Sequence, residues 1–264
     1  MMNQEKKALL AVSFGTSYTQ AIESCIVPVE QAMKAAAGEY DLFRAFTSGM
    51  IIKKLKNVCH ICVDTPGEAL EALAEKGYGT IAVQPTHILA GTEYHDLAKT
   101  TEEFARSHPQ VKVLMGQPLL YENDDYTRVA GALGCWMPKT GAHDVVVLMG
   151  HGTEHFSNSS YFALQHYLDQ LSTRAVYVAN VEAPPVLEEV MERMCREGVR
   201  NVYLMPFMLV AGDHARNDMA GEDEDSWYNI LTRHGFSVEV ILRGLGESED
   251  FCRLYAQKVR KLIS

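Results

Sequence analysis

The chain has 264 residues, enough for one large domain or two small ones, and its 47% hydrophobic and 22% charged content is that of an ordinary globular protein. A formal net charge of -10 at pH 7 argues against a nucleic-acid binder and requires any anionic ligand to be held by a local cluster of cations. The polar start Met1–Lys7 lacks a signal peptide's apolar run, no segment is long enough to span a membrane, and six scattered cysteines read as thiols of a reducing cytoplasm.

Short apolar runs alternate with longer amphipathic ones. Strands are expected at 8–14, 40–46, 80–85 and 111–116, with helices at 17–37, 66–76 and 93–107. Gly, Pro, Lys and Thr then accumulate at 134–141, which sets a join between a first domain, 1–136, and a second, 141–264. The second set repeats the pattern, with strands at 145–149, 175–181, 199–206 and 237–242 and helices at 160–171, 184–197 and 225–234. A last helix, 248–262, has apolar spacing at Phe251, Leu254, Tyr255, Val259 and Leu262, and its packing partner is left open, including a return to the first domain. Strands separated by helices of this length imply parallel sheets covered on both faces, so the fold class is α/β: two doubly wound domains of four strands each.

Two stretches repeat. Val83-Gln84-Pro85-Thr86-His87-Ile88-Leu89-Ala90-Gly91-Thr92-Glu93 aligns with Leu204-Met205-Pro206-Phe207-Met208-Leu209-Val210-Ala211-Gly212-Asp213-His214, setting Glu93 opposite His214. Upstream, Ser13-Phe14-Gly15-Thr16 aligns with Gly150-His151-Gly152-Thr153, setting Phe14 opposite His151. A duplicated fold with both histidines in one copy suggests a cleft between similar halves with a metal on one wall.

In open parallel sheets ligands bind beyond the carboxyl ends of the strands. His151, Glu182 and His214 each follow one of the first three strands of the second half, and a 2-1-3-4 order would make those strands neighbours. Two imidazoles and a carboxylate suit Co(II), Fe(II), Ni(II) or Zn(II) and leave positions open, whereas Mg(II) or Ca(II) would call for more oxygens. Each residue has a plainer reading: a histidine after a strand often serves a turn, and Glu182 could cap the helix that follows. Weaker candidates are Phe14-Gly15-Thr16-Ser17 as an anion cradle or simple cap, Cys59-His60-Ile61-Cys62 as a redox or zinc pair, and His87 and His155 as core or supporting residues. His95 reads as a surface residue, with a haem or inter-subunit role as the alternative; Met205, Phe207, Met208 and Leu209 read as packing that shapes the cleft wall, and Glu222-Asp223-Glu224-Asp225 as a solvated helix start or an attractor of metal cations.

At these residues the chain resembles the class II chelatases, most closely the anaerobic sirohydrochlorin cobaltochelatases of cobalamin biosynthesis. The resemblance runs through Ser13-Phe14-Gly15-Thr16-Ser17, the segment 41–50, Met149-Gly150-His151-Gly152, the segment 204–214 and Asn217-Asp218-Met219-Ala220. It implies the chelatase-like fold with its active site in the cleft between the domains, and ATP-independent insertion of Co(II) into sirohydrochlorin, a precorrin-2-derived tetrapyrrole. It makes His151, Glu182 and His214 the metal ligands and His151 a proton acceptor, and matches Glu93 to an acid facing the metal histidines. His214 and Glu93 are further candidates to take or relay a pyrrole proton.

Phe14, Glu93, Met208 and Arg44 are expected to meet the macrocycle, whose eight carboxylates would draw on Arg44, Lys53, Lys54, Lys56, Arg216 and Arg243. Cobalt is thus a substrate, no nucleotide loop is present, and a cytoplasmic homo-oligomer is implied by the relatives. Because metal and proton compete for one imidazole lone pair, activity should fall below about pH 6–6.5, the ordinary histidine range. Insertion of iron or nickel into the same ring, a non-catalytic tetrapyrrole or haem carrier, and a zinc hydrolase are the competing readings.

Overall fold

A computed structural model of the chain describes residues 5–171 and 175–264; the polar start read at Met1–Lys7 lies partly outside the described residues. β1 (Lys6–Ser13), β2 (Asp41–Phe46), β3 (Tyr78–Pro85) and β4 (Lys112–Met115) form one parallel sheet in the order β2-β1-β3-β4. β5 (Asp144–Gly150), β6 (Ala175–Asn180), β7 (Asn201–Pro206) and β8 (Ser237–Val240) form another in the order β6-β5-β7-β8. These are the two doubly wound α/β units expected, and every pairing is parallel.

The central strands carry apolar residues on both faces because helices cover both sides of a parallel sheet. Ala8–Val12 and Val145–Met149 are essentially solvent-free. In the first unit Leu10, Val12, Ile81 and Val83 pack with Leu70, Leu73, Leu97 and Phe104 from the helices Pro66–Glu75 and Thr92–Ser107. In the second, Val147, Met149 and Leu204 pack with Leu187, Met194, Trp227 and Leu231 from Leu187–Arg196 and Trp227–Arg233. Each fully buried Leu or Val contributes about 1.5–3 kcal/mol.

The boundary differs from the expected one. Contacts divide the chain between Tyr121 and Glu122, with Glu249–Ser264 joined to the first unit. The helix Asn123–Trp136, which the sequence pattern did not reveal, packs on Ser159–Leu171 of the second unit, so the join precedes it rather than following at 136–141. The last helix, Glu249–Ile263, packs on Val27–Ala37 of the first unit, and Tyr255 donates its hydroxyl to the Thr86 carbonyl at 2.8 Å. A second unforeseen helix, Gly49–Lys54 with a π turn Leu55–Cys59, follows β2. Among the described residues no helix is long and apolar enough to cross a membrane.

Candidate metal centre

His151 directly follows β5, Glu182 comes two residues after β6, and His214 leads a π turn, Ala215–Met219, in the loop after β7. Since β6, β5 and β7 are adjacent, all three side chains arise at one sheet edge. One donor atom from each lies within 4.8 Å of the others. The imidazoles meet edge to face with centroids 4.6 Å apart, and His151 Nδ1 is 3.5 Å from Glu182 Oε2. Side-chain exposures of 44%, 54% and 36% for His151, Glu182 and His214 leave the donors open to a ligand.

The local backbone explains the placement. Val181 N donates to Gly150 O at 3.1 Å and Glu182 N to His151 O at 2.9 Å, carrying the β5–β6 ladder past the strand ends. At Gly150 a Cβ would come within 2.2 Å of Asn180 Oδ1 and 2.6 Å of the Tyr161 ring. At Gly152 φ is +82°, and a Cβ would meet Ala183 N at 2.8 Å. Glycines flank His151 because no side chain fits there. Asn158 ties the same turn to the Glu182 loop, accepting from Thr153 N at 3.1 Å and donating to Pro184 O at 2.6 Å. Tyr161 beneath is buried, which pushes its phenol up to about 12, and its oxygen accepts from Gly152 N at 3.4 Å.

Both histidines are held through Nδ1. That atom lies 3.0 Å from the Gly152 carbonyl in His151 and 2.5 Å from Asp218 Oδ2 in His214. A carbonyl and a carboxylate both accept, so a neutral ring held this way has its proton on Nδ1 and its lone pair on Nε2. The set can bind a divalent ion of intermediate softness with positions left free. Sequence reading gave Asp218 no role; its i,i+4 relation to His214 was the available signal.

The other expected residues lie elsewhere or do other work. Glu93 is in the first turn of Thr92–Ser107, in the first unit. Phe14 follows β1 and is 45% exposed; Met208 packs partly buried against the second core. Arg44 is not free for a ligand carboxylate: its Nε and a terminal nitrogen bond both oxygens of buried Glu30 at 2.7 and 2.6 Å. That pairing raises the guanidinium's affinity for its proton. Arg243 stacks 3.7 Å from the Trp136 ring centroid.

Tyr18 N donates to Thr16 Oγ1 at 3.2 Å, making the loop after Phe14 a plain turn. Cys59 and Cys62 are free thiols, and left-handed His60 ends a helical turn. His155 Nδ1 accepts from Ser157 N at 3.2 Å. Ser226, following the acidic run, caps Trp227–Arg233. Both His87 nitrogens are shut from solvent without a hydrogen-bond partner among the described residues, although part of the residue is exposed, and burial lowers that imidazole to about 4.

The family model described as "Cobalt chelatase (CbiK)" matches residues 7–264, and the chain belongs to that family. It is 42% identical over 259 residues to the sirohydrochlorin cobaltochelatase of Salmonella typhimurium, covering 98% of this chain and 97% of that one. It is 31% identical over 260 residues to the sirohydrochlorin cobaltochelatase CbiKC of Nitratidesulfovibrio vulgaris, covering 98% and 91%. In fold it resembles SirB from Bacillus subtilis, solved with Fe3+, at a TM-score of 0.68 with 16% identity, covering 97% of this chain and 95% of SirB.

Proposed function

We propose that this chain inserts Co(II) into sirohydrochlorin without using a nucleotide. The observation that carries the reading is the convergence of His151, Glu182 and His214 within 4.8 Å at the ends of three adjacent strands. Near-full-length similarity to two proteins named sirohydrochlorin cobaltochelatase supports both substrates.

The three side chains hold the incoming ion as substrate, through Nε2 of each imidazole and the Glu182 carboxylate, and give it up to the ring nitrogens. Insertion releases two pyrrole protons. His151 accepts one on Nε2 as the ion leaves that atom; Glu93 takes or relays the other. Phe14 and Met208 offer apolar surface to the flat ring, and Lys53, Lys54, Lys56, Arg216 and Arg243 are the cations for its carboxylates, with Arg44 occupied by Glu30. The enzyme works in the cytoplasm as a homo-oligomer, a state that light scattering on a sizing column would measure.

The test is anaerobic metallation followed by absorbance. Sirohydrochlorin and protoporphyrin are offered separately with Co(II), Fe(II) and Ni(II), to the wild-type chain and to His214→Ala. Fast cobalt insertion into sirohydrochlorin alone, lost in the variant, is expected. A stably bound pigment with no metallation would make the protein a carrier instead.

A further inference from the structure

The two histidines present the same ring atom but are braced differently. His151 Nδ1 meets the neutral Gly152 carbonyl at 3.0 Å, while His214 Nδ1 meets the carboxylate of Asp218 at 2.5 Å. A hydrogen bond to a carboxylate is shorter and roughly twice as strong as one between neutral groups. Asp218 has no other hydrogen-bond or ion-pair partner among the described residues. Its turn is anchored: Ala215 and Met219, on either side of it in the same π turn, are fully buried in the second core. The carboxylate is therefore aimed by the core rather than by a flexible surface stem.

The first half supplies an internal control. Counting on from the repeat, the position equivalent to Asp218 is Leu97, buried in the first core, four residues after Glu93. The carboxylate occurs only in the copy with an imidazole to orient.

We infer that Asp218 is a positioning residue that fixes the ring orientation and tautomer of His214, presenting Nε2 to the divalent ion and raising the affinity of the centre. The inference rests on the metal-centre reading above. A mere surface pair of this spacing would contribute little to stability and nothing to metal affinity. An outer carboxylate on a ligating histidine sets affinity by about 10–100-fold.

The experiment is an anaerobic Co(II) titration without tetrapyrrole, by competition with a chromophoric chelator, alongside the visible spectrum of the bound ion and thermal melts. It compares wild type, His214→Ala, Asp218→Leu and Asp218→Asn. Asp218→Leu should bind Co(II) about 10–100-fold more weakly with a changed visible spectrum. Asp218→Asn, whose amide oxygen still accepts from Nδ1 but without the charge, should lose less affinity than Asp218→Leu and keep the wild-type spectrum. Wild-type affinity in Asp218→Leu would overturn the inference, as would Asp218→Asn falling as far as Asp218→Leu. A wild-type chain that binds Co(II) no better than His214→Ala would instead remove the metal centre itself, and this inference with it.

Discussion

The two sheets have the same strand order and the same irregularities at their carboxyl ends, yet among the described residues only one brings His151, Glu182 and His214 together there. Thr47 N and Ser48 N donate to Ser13 O and Phe14 O, just as Val181 N and Glu182 N donate to Gly150 O and His151 O. Gly15, with φ +99°, sits where Gly152 has +82°. The backbone match thus pairs Phe14 with His151, Ser48 with Glu182 and Glu93 with His214. All three ligand positions are filled differently in the first half.

Ser48 also shows what that half does with its copy: its hydroxyl accepts from Ile51 N and caps the helix Gly49–Lys54. At the second copy Glu182 precedes Ala183-Pro184-Pro185, the helix starts only at Leu187, and the carboxylate is left free to point at a ligand. One backbone scaffold therefore carries different side chains at the three paired positions.

The largest test of that comparison exchanges the fates of paired positions. His214→Ala should reduce cobalt insertion by more than about 100-fold, beyond the loss of an outer partner, and should abolish Co(II) binding. Glu93→Gln should leave Co(II) affinity intact while slowing insertion, read as a fall in kcat in the same assay.

His87 and Met208 occupy equivalent positions, and burial holds the His87 imidazole at about 4, below the ordinary value of 6.5. The unfolded chain therefore takes up this proton first, so stability falls as pH drops from 6.5 to about 4 and levels off below. The loss reaches about 3 kcal/mol. His87→Met should flatten that part of the difference, measured by urea unfolding across the range, with no hydrogen bond sacrificed. An unchanged slope would contradict the burial argument.

Gly15→Ala and Gly152→Ala should each destabilise by about 2 kcal/mol, since both meet a neighbour under 3 Å at positive φ. Only Gly152→Ala should also weaken Co(II) binding.

The smallest contrast is structural. By the strand pairing, Arg44 of the first half corresponds to Val178 of the second. Removing Arg44 strands buried Glu30 and should cost about 2 kcal/mol, the low side for a partly exposed pair. Gln165, which bonds the backbone of Val176 and Val178, should cost about 1 kcal/mol on replacement by Ala in the same denaturation experiment.

Much of this was readable from the chain because hydrophobic period and topology act together. The eight strands stand out as Val-, Ile- and Leu-rich runs, and a 2-1-3-4 order brings residues at three strand ends together without any local spacing motif. The helix Asn123–Trp136 was hidden because Gly131 and Gly134 interrupt its pattern and its buried stripe is short, and the domain boundary moved with it. Gly49–Cys59 escaped because its lysines read as ligand cations and its Met50 and Val58 are exposed. Arg44 misled for a physical reason: a guanidinium in a strand looks the same in sequence whether its partner is a ligand or Glu30. Asp218 lies one helical turn from His214, and that i,i+4 spacing, common in an acidic protein, gains meaning only once its acceptor geometry is seen.

The most direct measurement is anomalous diffraction at the cobalt edge from crystals soaked in Co(II). One ion bonded to Nε2 of His151, Nε2 of His214 and the Glu182 carboxylate is the predicted result. Cobalt at other residues, or none at these three while the soaked protein stays folded and active, would contradict it.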